Sequence, residues 1–252
     1  MTSLTSVTTH QHPDPRRVLN HREALEAEQQ EFLRTLSRAR PGEVDAPVPS
    51  CAPWRVRDLV RHLAAVHRWA TAMSWTTPGS PGPNEADLPD TGDLVTLYAD
   101  AAATLRTSLA APTRPCVTLV GAGDTSDWAR RQLHETFVHR LDLMDALGRH
   151  PRVEDSIAAD SVAADCVAEV LDTVHPRQVR LGRAPRPSFA VELRGPGGPR
   201  LLGAGPVLAV ITGSDVDLAR LLWRRARLDE PGFAVSGDRG AAERLLAQAL
   251  TP

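Results

Sequence analysis

The chain has 252 residues, of which 42% are hydrophobic and 24% are charged, the composition of an ordinary globular protein. Its net charge of −2 gives no positive field for binding nucleic acid or an acidic membrane. All 29 basic residues are arginine, which excludes a Schiff-base lysine and a Walker phosphate loop. No apolar run approaches the roughly 20 residues that span a bilayer, and the N-terminus lacks the apolar core of a secretory signal. We therefore expect a cytoplasmic protein.

The first 150 residues carry helical patterns. Residues 1–17 are polar, with two prolines, and predict a disordered tail. Apolar residues at helical spacing then predict helices from about 19 to 39, Arg55 to Ser74, Asp93 to Ala110 and Asp127 to Leu147. A stretch rich in proline and glycine over 76–92 is of the kind that often lies over a site. We expect residues 18–150 to form a four-helix bundle.

The pattern becomes mixed after about residue 150. Residues 156–174 favour another helix, and SFAVELRG, LLG and PVLAVITG predict short strands. SDVDLARLLWRRA has helical spacing with Ser214 as its N-cap, GFAVSGD predicts a strand, and RGAAERLLAQAL a final helix. We expect residues 151–252 to be a separate, smaller α/β domain, so that the whole chain has an α+β fold.

The three cysteines are far apart in the sequence and odd in number. Without a CxxC pair, they indicate neither a disulfide framework nor a cysteine zinc site. Small buried hydrophobes are the interpretation we prefer for all three, a single reactive thiol being the alternative.

The fourth predicted helix carries the first candidate ligands. Glu135 and His139 are four residues apart, which places both on one face of a helix, one turn apart. Arg131 and Asp142 fall on the same stripe, whereas His134 lies off it and is expected to be exposed. A carboxylate and an imidazole so placed suit a single metal ion, although such pairs are also common as solvated contacts.

The second predicted helix offers a third ligand. His62 falls at the edge of its apolar face, and His67 points about 140° away, towards the expected surface. In a bundle, His62 can meet Glu135 and His139 and complete a His₂Glu set, which leaves positions open as catalytic zinc prefers. The plain alternative for His62 is a partly buried histidine with no ligand role.

The two segments together resemble the mycothiol-dependent maleylpyruvate isomerase family. The family patterns are roughly W-x-V-x-D-L-x-x-H-L and E-x-x-x-H-R-x-D-x-x-x-A-x-G. The matching residues are Trp54, Val56, Asp58, Leu59, His62 and Leu63, and then Glu135, His139, Arg140, Asp142 and Gly148. At the alanine position, Ala146 and Leu147 stand before Gly148. The C-terminal GSDVDLARLLWRRA and FAVSGD are similar to the family's smaller domain, so the resemblance covers most of the chain.

The resemblance implies a DinB-like metal-binding bundle in which His62, Glu135 and His139 hold a divalent metal ion, expected to be zinc. It also implies mycothiol as a thiol cosubstrate and a small electrophilic metabolite as substrate. The reaction is then a cis–trans isomerisation or an S-transfer. One metal site supports both, so the fold does not decide between them. A non-catalytic DinB-like protein that binds metal or a small molecule is the alternative, and a regulatory protein without metal is a third. We expect a monomer.

Three further residues are candidates for supporting roles. Arg225 stands where family members commonly carry an arginine, and its fork suits a carboxylate; a surface arginine is the alternative. Asp142 either orients a ligand histidine or is a surface charge. Arg131 is a weaker candidate beside the ligands. We interpret Trp54, Trp69 and Trp128 as bundle core rather than as substrate-stacking groups.

Overall fold

The computed structural model describes residues 19–84, 92–149 and 156–252. The predicted tail over 1–17 lies outside these residues, as does the centre of the Pro/Gly-rich stretch. Within the described residues, each helix is too short or too polar to cross a bilayer. The mixed α+β fold is confirmed, with helices in the N-terminal region and a small sheet in the C-terminal region.

Among the described residues of the N-terminal region, four long helices form a bundle close to their predicted positions. They are α1 (His21–Ser37), α2 (Val56–Ser74), α3 (Leu94–Ser108) and α4 (Thr125–Ala146). Side chains cap three of them, because Asn20, Asp93 and Asp124 each accept hydrogen bonds from backbone N–H groups of the first turn. These caps explain why the helices begin within about two residues of the predicted starts.

An antiparallel hairpin, which the sequence analysis missed, leads the chain into α4. Strand β1 (Pro115–Thr118) pairs with β2 (Gly121–Asp124). The indole Nε1 of Trp128 donates to the carbonyl oxygen of Val117 at 2.8 Å, which ties the hairpin to the first turn of α4. With four residues a strand and two glycines in β2, the hairpin has too little apolar alternation to be recognised from sequence.

The C-terminal half builds a four-stranded sheet beside helices. Helix α5 (Ser156–Glu169) continues through a π-helical turn (Val170–Val174) into α6 (His175–Arg180). The sheet has the order β4–β3–β5–β6, and only the β3–β5 pair within it is parallel. The remaining elements are β3 (Ala190–Gly195), β4 (Gly198–Gly203), β5 (Val207–Thr212), α7 (Asp215–Leu222), β6 (Ala234–Gly237) and α8 (Arg239–Leu246).

Helix α4 lies at the centre of the molecule. Apolar residues such as Trp128 and Phe137 belong to one buried cluster that extends through α5 to the sheet, while Leu143 belongs to a second cluster inside the bundle. Most of its polar side chains are buried as well. The prediction that His134 is exposed is therefore wrong, because α5 covers that face of α4 and leaves His134 fully buried.

The prediction that His67 points to the surface is also wrong. The ring is fully buried and joins α2 to α1 and α4. Its Nδ1 donates to Oε1 of Gln132 at 2.8 Å, and its Nε2 accepts from Nε2 of Gln29 at 3.1 Å. Arg106 fixes the orientation of Gln29 by donating to its Oε1 at 2.8 Å. Angular position on one helix failed here because α2 packs on several neighbours and buries more than one face.

This network stabilises only the neutral form of His67. Burial lowers the pKa of the ring to about 4. Between pH 6.5 and 4 the unfolded chain binds a proton that the folded chain does not, so stability falls as the pH falls through that interval.

We expect the free energy of unfolding to fall by about 2 kcal/mol more in the wild type than in a His67→Gln variant between pH 7 and pH 4.5. The measurement is urea unfolding of both proteins at several pH values with a metal chelator present. Parallel pH profiles for the two proteins would contradict the assignment of His67 as a buried neutral histidine.

Candidate functional site

The three predicted ligands come together between α2 and α4. The Nε2 atom of His62 lies 3.5 Å from Oε1 of Glu135, and Nε2 of His139 lies 3.3 Å from the same oxygen. The two imidazole rings meet nearly at right angles, with centroids 5.1 Å apart. Helical spacing on α4 and the position of His62 at the edge of the apolar face of α2 thus bring the three side chains together.

The donor atoms of this set fit a divalent metal ion. One ligand atom from each of the three residues lies within 4.8 Å of the others. Donors about 2.0–2.1 Å from a tetrahedral zinc ion stand roughly 3.3 Å from one another, close to the two separations from Oε1 of Glu135. Two imidazoles and one carboxylate also leave a fourth position for a small molecule.

Asp142 orients His139 from behind. Its buried carboxylate accepts from Nδ1 of His139 at 2.9 Å, which leaves Nε2 of that ring for the ligand cluster. Oδ1 also accepts from the hydroxyl of Ser50 at 2.6 Å, and Arg225 binds both oxygens, with Nη2 3.0 Å from Oδ2. Of the two roles considered for Asp142, the geometry favours the orienting one over a surface charge.

Arg225 reaches the site from the turn that follows α7. Besides Asp142, its guanidinium donates to the carbonyl oxygen of Trp223 at 2.7 Å and contacts Sγ of Cys51 at 3.1 Å. Its side chain is 15% exposed, so it is not the plain surface arginine of the alternative interpretation. The arginine predicted from the C-terminal half therefore lies beside the candidate metal ligands of the N-terminal half.

The charges of these groups are set by their pairing. Burial alone would raise the pKa of Asp142, but hydrogen bonds from His139 and Arg225 hold it below its ordinary value. Burial alone would likewise raise the pKa of Glu135, yet Arg131 and the two histidines hold it well below the usual range. Both carboxyl groups are therefore anionic at neutral pH, as a metal ligand and its support must be.

A cleft of about 410 Å³ opens beside the ligand cluster, a volume ordinary for a small-molecule site. The ligands His62, Glu135 and His139 form part of its wall. The rest of the lining is Ser50, Cys51, Ala52, Trp54, Trp223, Arg225 and Pro252. The described part of the Pro/Gly-rich stretch lies elsewhere: Pro83 accepts a hydrogen bond from the indole of Trp69, which is not part of this lining.

Sequence reasoning missed several lining residues. Trp54 packs against the bundle core, as expected, but its ring also lies 4.7 Å from that of His62, centroid to centroid, and lines the cleft. Trp69 and Trp128 do pack against each other, with ring centroids 5.1 Å apart, Trp128 being buried and Trp69 partly buried. Cys51 is half-buried in the cleft, whereas Cys116 and Cys166 are buried as predicted. The available signal was position, because Ser50, Cys51 and Trp54 immediately precede the helix that carries His62.

Replacing Asp142 by alanine should lower the free energy of unfolding at pH 7 by about 3–5 kcal/mol, because Arg225 and His139 lose a buried counter-charge. Urea unfolding with chelator present measures the effect. Asp145→Ala is the matched control: this residue is on the same helix but exposed, and its replacement should change stability by less than about 0.5 kcal/mol. Equal losses in the two variants would contradict the role assigned to Asp142.

Comparison with known proteins identifies the family. A model described as the mycothiol maleylpyruvate isomerase N-terminal domain matches residues 25–144, and one described as the MDMPI C-terminal domain matches residues 161–244. No curated protein matches the chain.

Two solved structures share the fold, each with a TM-score of 0.62 over 86% of this chain and 92% of the other. They are the mycothiol-dependent maleylpyruvate isomerase, at 17% identity, and a mutant of that isomerase with one histidine replaced by alanine, at 16%. Since the two family models together match most of the chain, it belongs to the mycothiol-dependent maleylpyruvate isomerase family.

Proposed function

We propose that this chain is a metal-dependent enzyme that uses a low-molecular-weight thiol, mycothiol, to act on a small electrophilic metabolite. The observation that carries the proposal is the His62–Glu135–His139 cluster at the wall of a cleft into which Arg225 also reaches. Family membership supports the choice of thiol. The reaction class is a cis–trans isomerisation or an S-transfer.

His62, Glu135 and His139 would hold the metal ion, and Asp142 would keep His139 in the tautomer that presents Nε2. A bound divalent metal, zinc by our prediction, would supply a thiolate near neutral pH by lowering the pKa of the thiol. Arg225 would attract a carboxylate of the substrate, because its guanidinium is partly exposed to the cleft.

The same residues serve either reaction. In an isomerisation, the thiol sulfur adds to an activated double bond, the resulting single bond rotates, and the thiol is expelled unchanged. In a transfer, the sulfur displaces a leaving group and stays bonded to carbon. Arg225 would hold the substrate against the thiol in both cases, and the aromatic walls of Trp54 and Trp223 would shield the reacting atoms from water.

The division into two domains near residue 150, the monomeric state and the cytoplasmic location stay predictions.

The purified protein should contain about one divalent metal ion per chain, and His62→Ala and Glu135→Ala should lose it, since each removes one of three ligands. Elemental analysis of the three proteins measures this. His67→Gln is the matched control, because that histidine lies on the same helix but contacts none of the three ligands. Wild-type protein without stoichiometric metal would contradict the proposed site.

The metal-loaded protein should convert an electrophile that bears a carboxylate in the presence of mycothiol, and Arg225→Lys should lower kcat/KM by roughly 10- to 100-fold. The lysine keeps the charge but loses the fork, at the cost of a charged hydrogen bond. The measurement is chromatography of thiol adducts and isomerised products across a panel that includes maleylpyruvate.

Arg224→Lys is the control for that experiment, because Arg224 is exposed and donates to the carbonyl oxygens of Ala247 and Gln248 instead. It should keep the wild-type rate. Metal binding without any thiol adduct or isomerised product would contradict the enzyme proposal and favour the non-catalytic binding protein.

A further inference from the structure

Arg131 lies one turn before Glu135 on α4 and is only 7% exposed. Its Nη2 donates to Oε2 of Glu135, the carboxylate oxygen that does not face the histidines. Glu135 therefore directs Oε1 to the two histidines, while its Oε2 is held by the guanidinium of Arg131.

The C-terminal half holds the other side of Arg131. Nη1 donates to Oε2 of Glu169, the last residue of α5, at 2.5 Å. The guanidinium also lies over the ring of Trp223, 4.9 Å from its centroid. Glu169 is itself fixed by Nδ1 of the buried His134 at 2.8 Å. Arg131 thus has contacts on three sides and little freedom to move.

We propose that Arg131 is a positioning residue that restricts Glu135 to one-oxygen ligation and makes its geometry depend on Glu169 of the C-terminal half. The inference rests on the proposed metal site and deepens it. A free carboxylate near a metal ion can turn and bind through both oxygens, which fills the position that a substrate needs. Arg131 prevents this because Oε2 already accepts a charged hydrogen bond.

A purely structural role for Arg131 makes a different prediction. If Arg131 only neutralised the buried Glu169, removal of both charges together would leave the metal site unaffected. If it positions Glu135, the same double change would still alter the metal site. The double variant Arg131→Met with Glu169→Gln therefore separates the two roles, and it avoids leaving Glu169 charged and buried without its arginine.

The test uses the full chain loaded with Co²⁺, whose visible absorption weakens as its coordination number rises. Arg131→Lys and the double variant should both show weaker absorption than the wild type. Both should also bind Co²⁺ roughly 10- to 100-fold less tightly in competition with a chelator. These readouts report the ligands directly and do not depend on turnover.

Arg130→Met is the matched control, because the adjacent Arg130 also pairs with α5, through Asp165 at 2.8 Å, in contacts that do not involve Glu135. It should keep the wild-type spectrum and affinity. Wild-type spectra and affinities in both Arg131 variants would overturn the inference while leaving the proposed metal site intact. An equal loss in Arg130→Met would overturn it too, and failure of the wild type to bind Co²⁺ would overturn both proposals.

Discussion

The burial of α4 on nearly all sides is the constraint on which the structure depends. A helix in that position cannot leave a charge unpaired, because an isolated buried ion costs several kcal/mol. The Asp142–Arg225 pair meets this requirement across the two halves of the chain, with Asp142 fully buried and bound through both oxygens. Arg131 meets it in the same way, by joining Glu135 on its own helix to Glu169 on α5.

The ion pairs that compensate the buried charges of α4 also position side chains of the candidate site. Asp142 orients His139, and Arg131 restrains Glu135, so each ligand from α4 has a charged support connected to the C-terminal half. His62 differs, because it comes from α2 and its ring packs on Trp54 instead. The bundle alone therefore provides three donor atoms, whereas the orientation of two of them depends on groups beyond residue 150.

Prediction from the sequence succeeded where the position of a residue depends on a single helix. The spacing of Glu135 and His139 is a property of α4 alone, and the position of His62 at the edge of an apolar face is a property of α2 alone. Prediction failed where burial depends on several neighbours at once, since α5 covers His134, and α1 and α4 enclose His67. Contacts between distant segments, such as Cys51 with Arg225, have no local signal at all. Hydrophobic periodicity gives no reason to single out Arg225, which was a candidate because of the family resemblance.

Arginine suits both of these supporting positions for a geometric reason. Arg131 binds two carboxylates in different directions, and Arg225 binds both oxygens of one carboxylate while also contacting Trp223 and Cys51. A lysine ammonium has a single nitrogen and cannot span such pairs of acceptors with fixed geometry. Each arginine therefore fixes the angle of a carboxylate as well as its charge. Because those angles determine where Glu135 and His139 present their candidate ligand atoms, the arrangement of the candidate site depends on how the C-terminal half packs against the bundle.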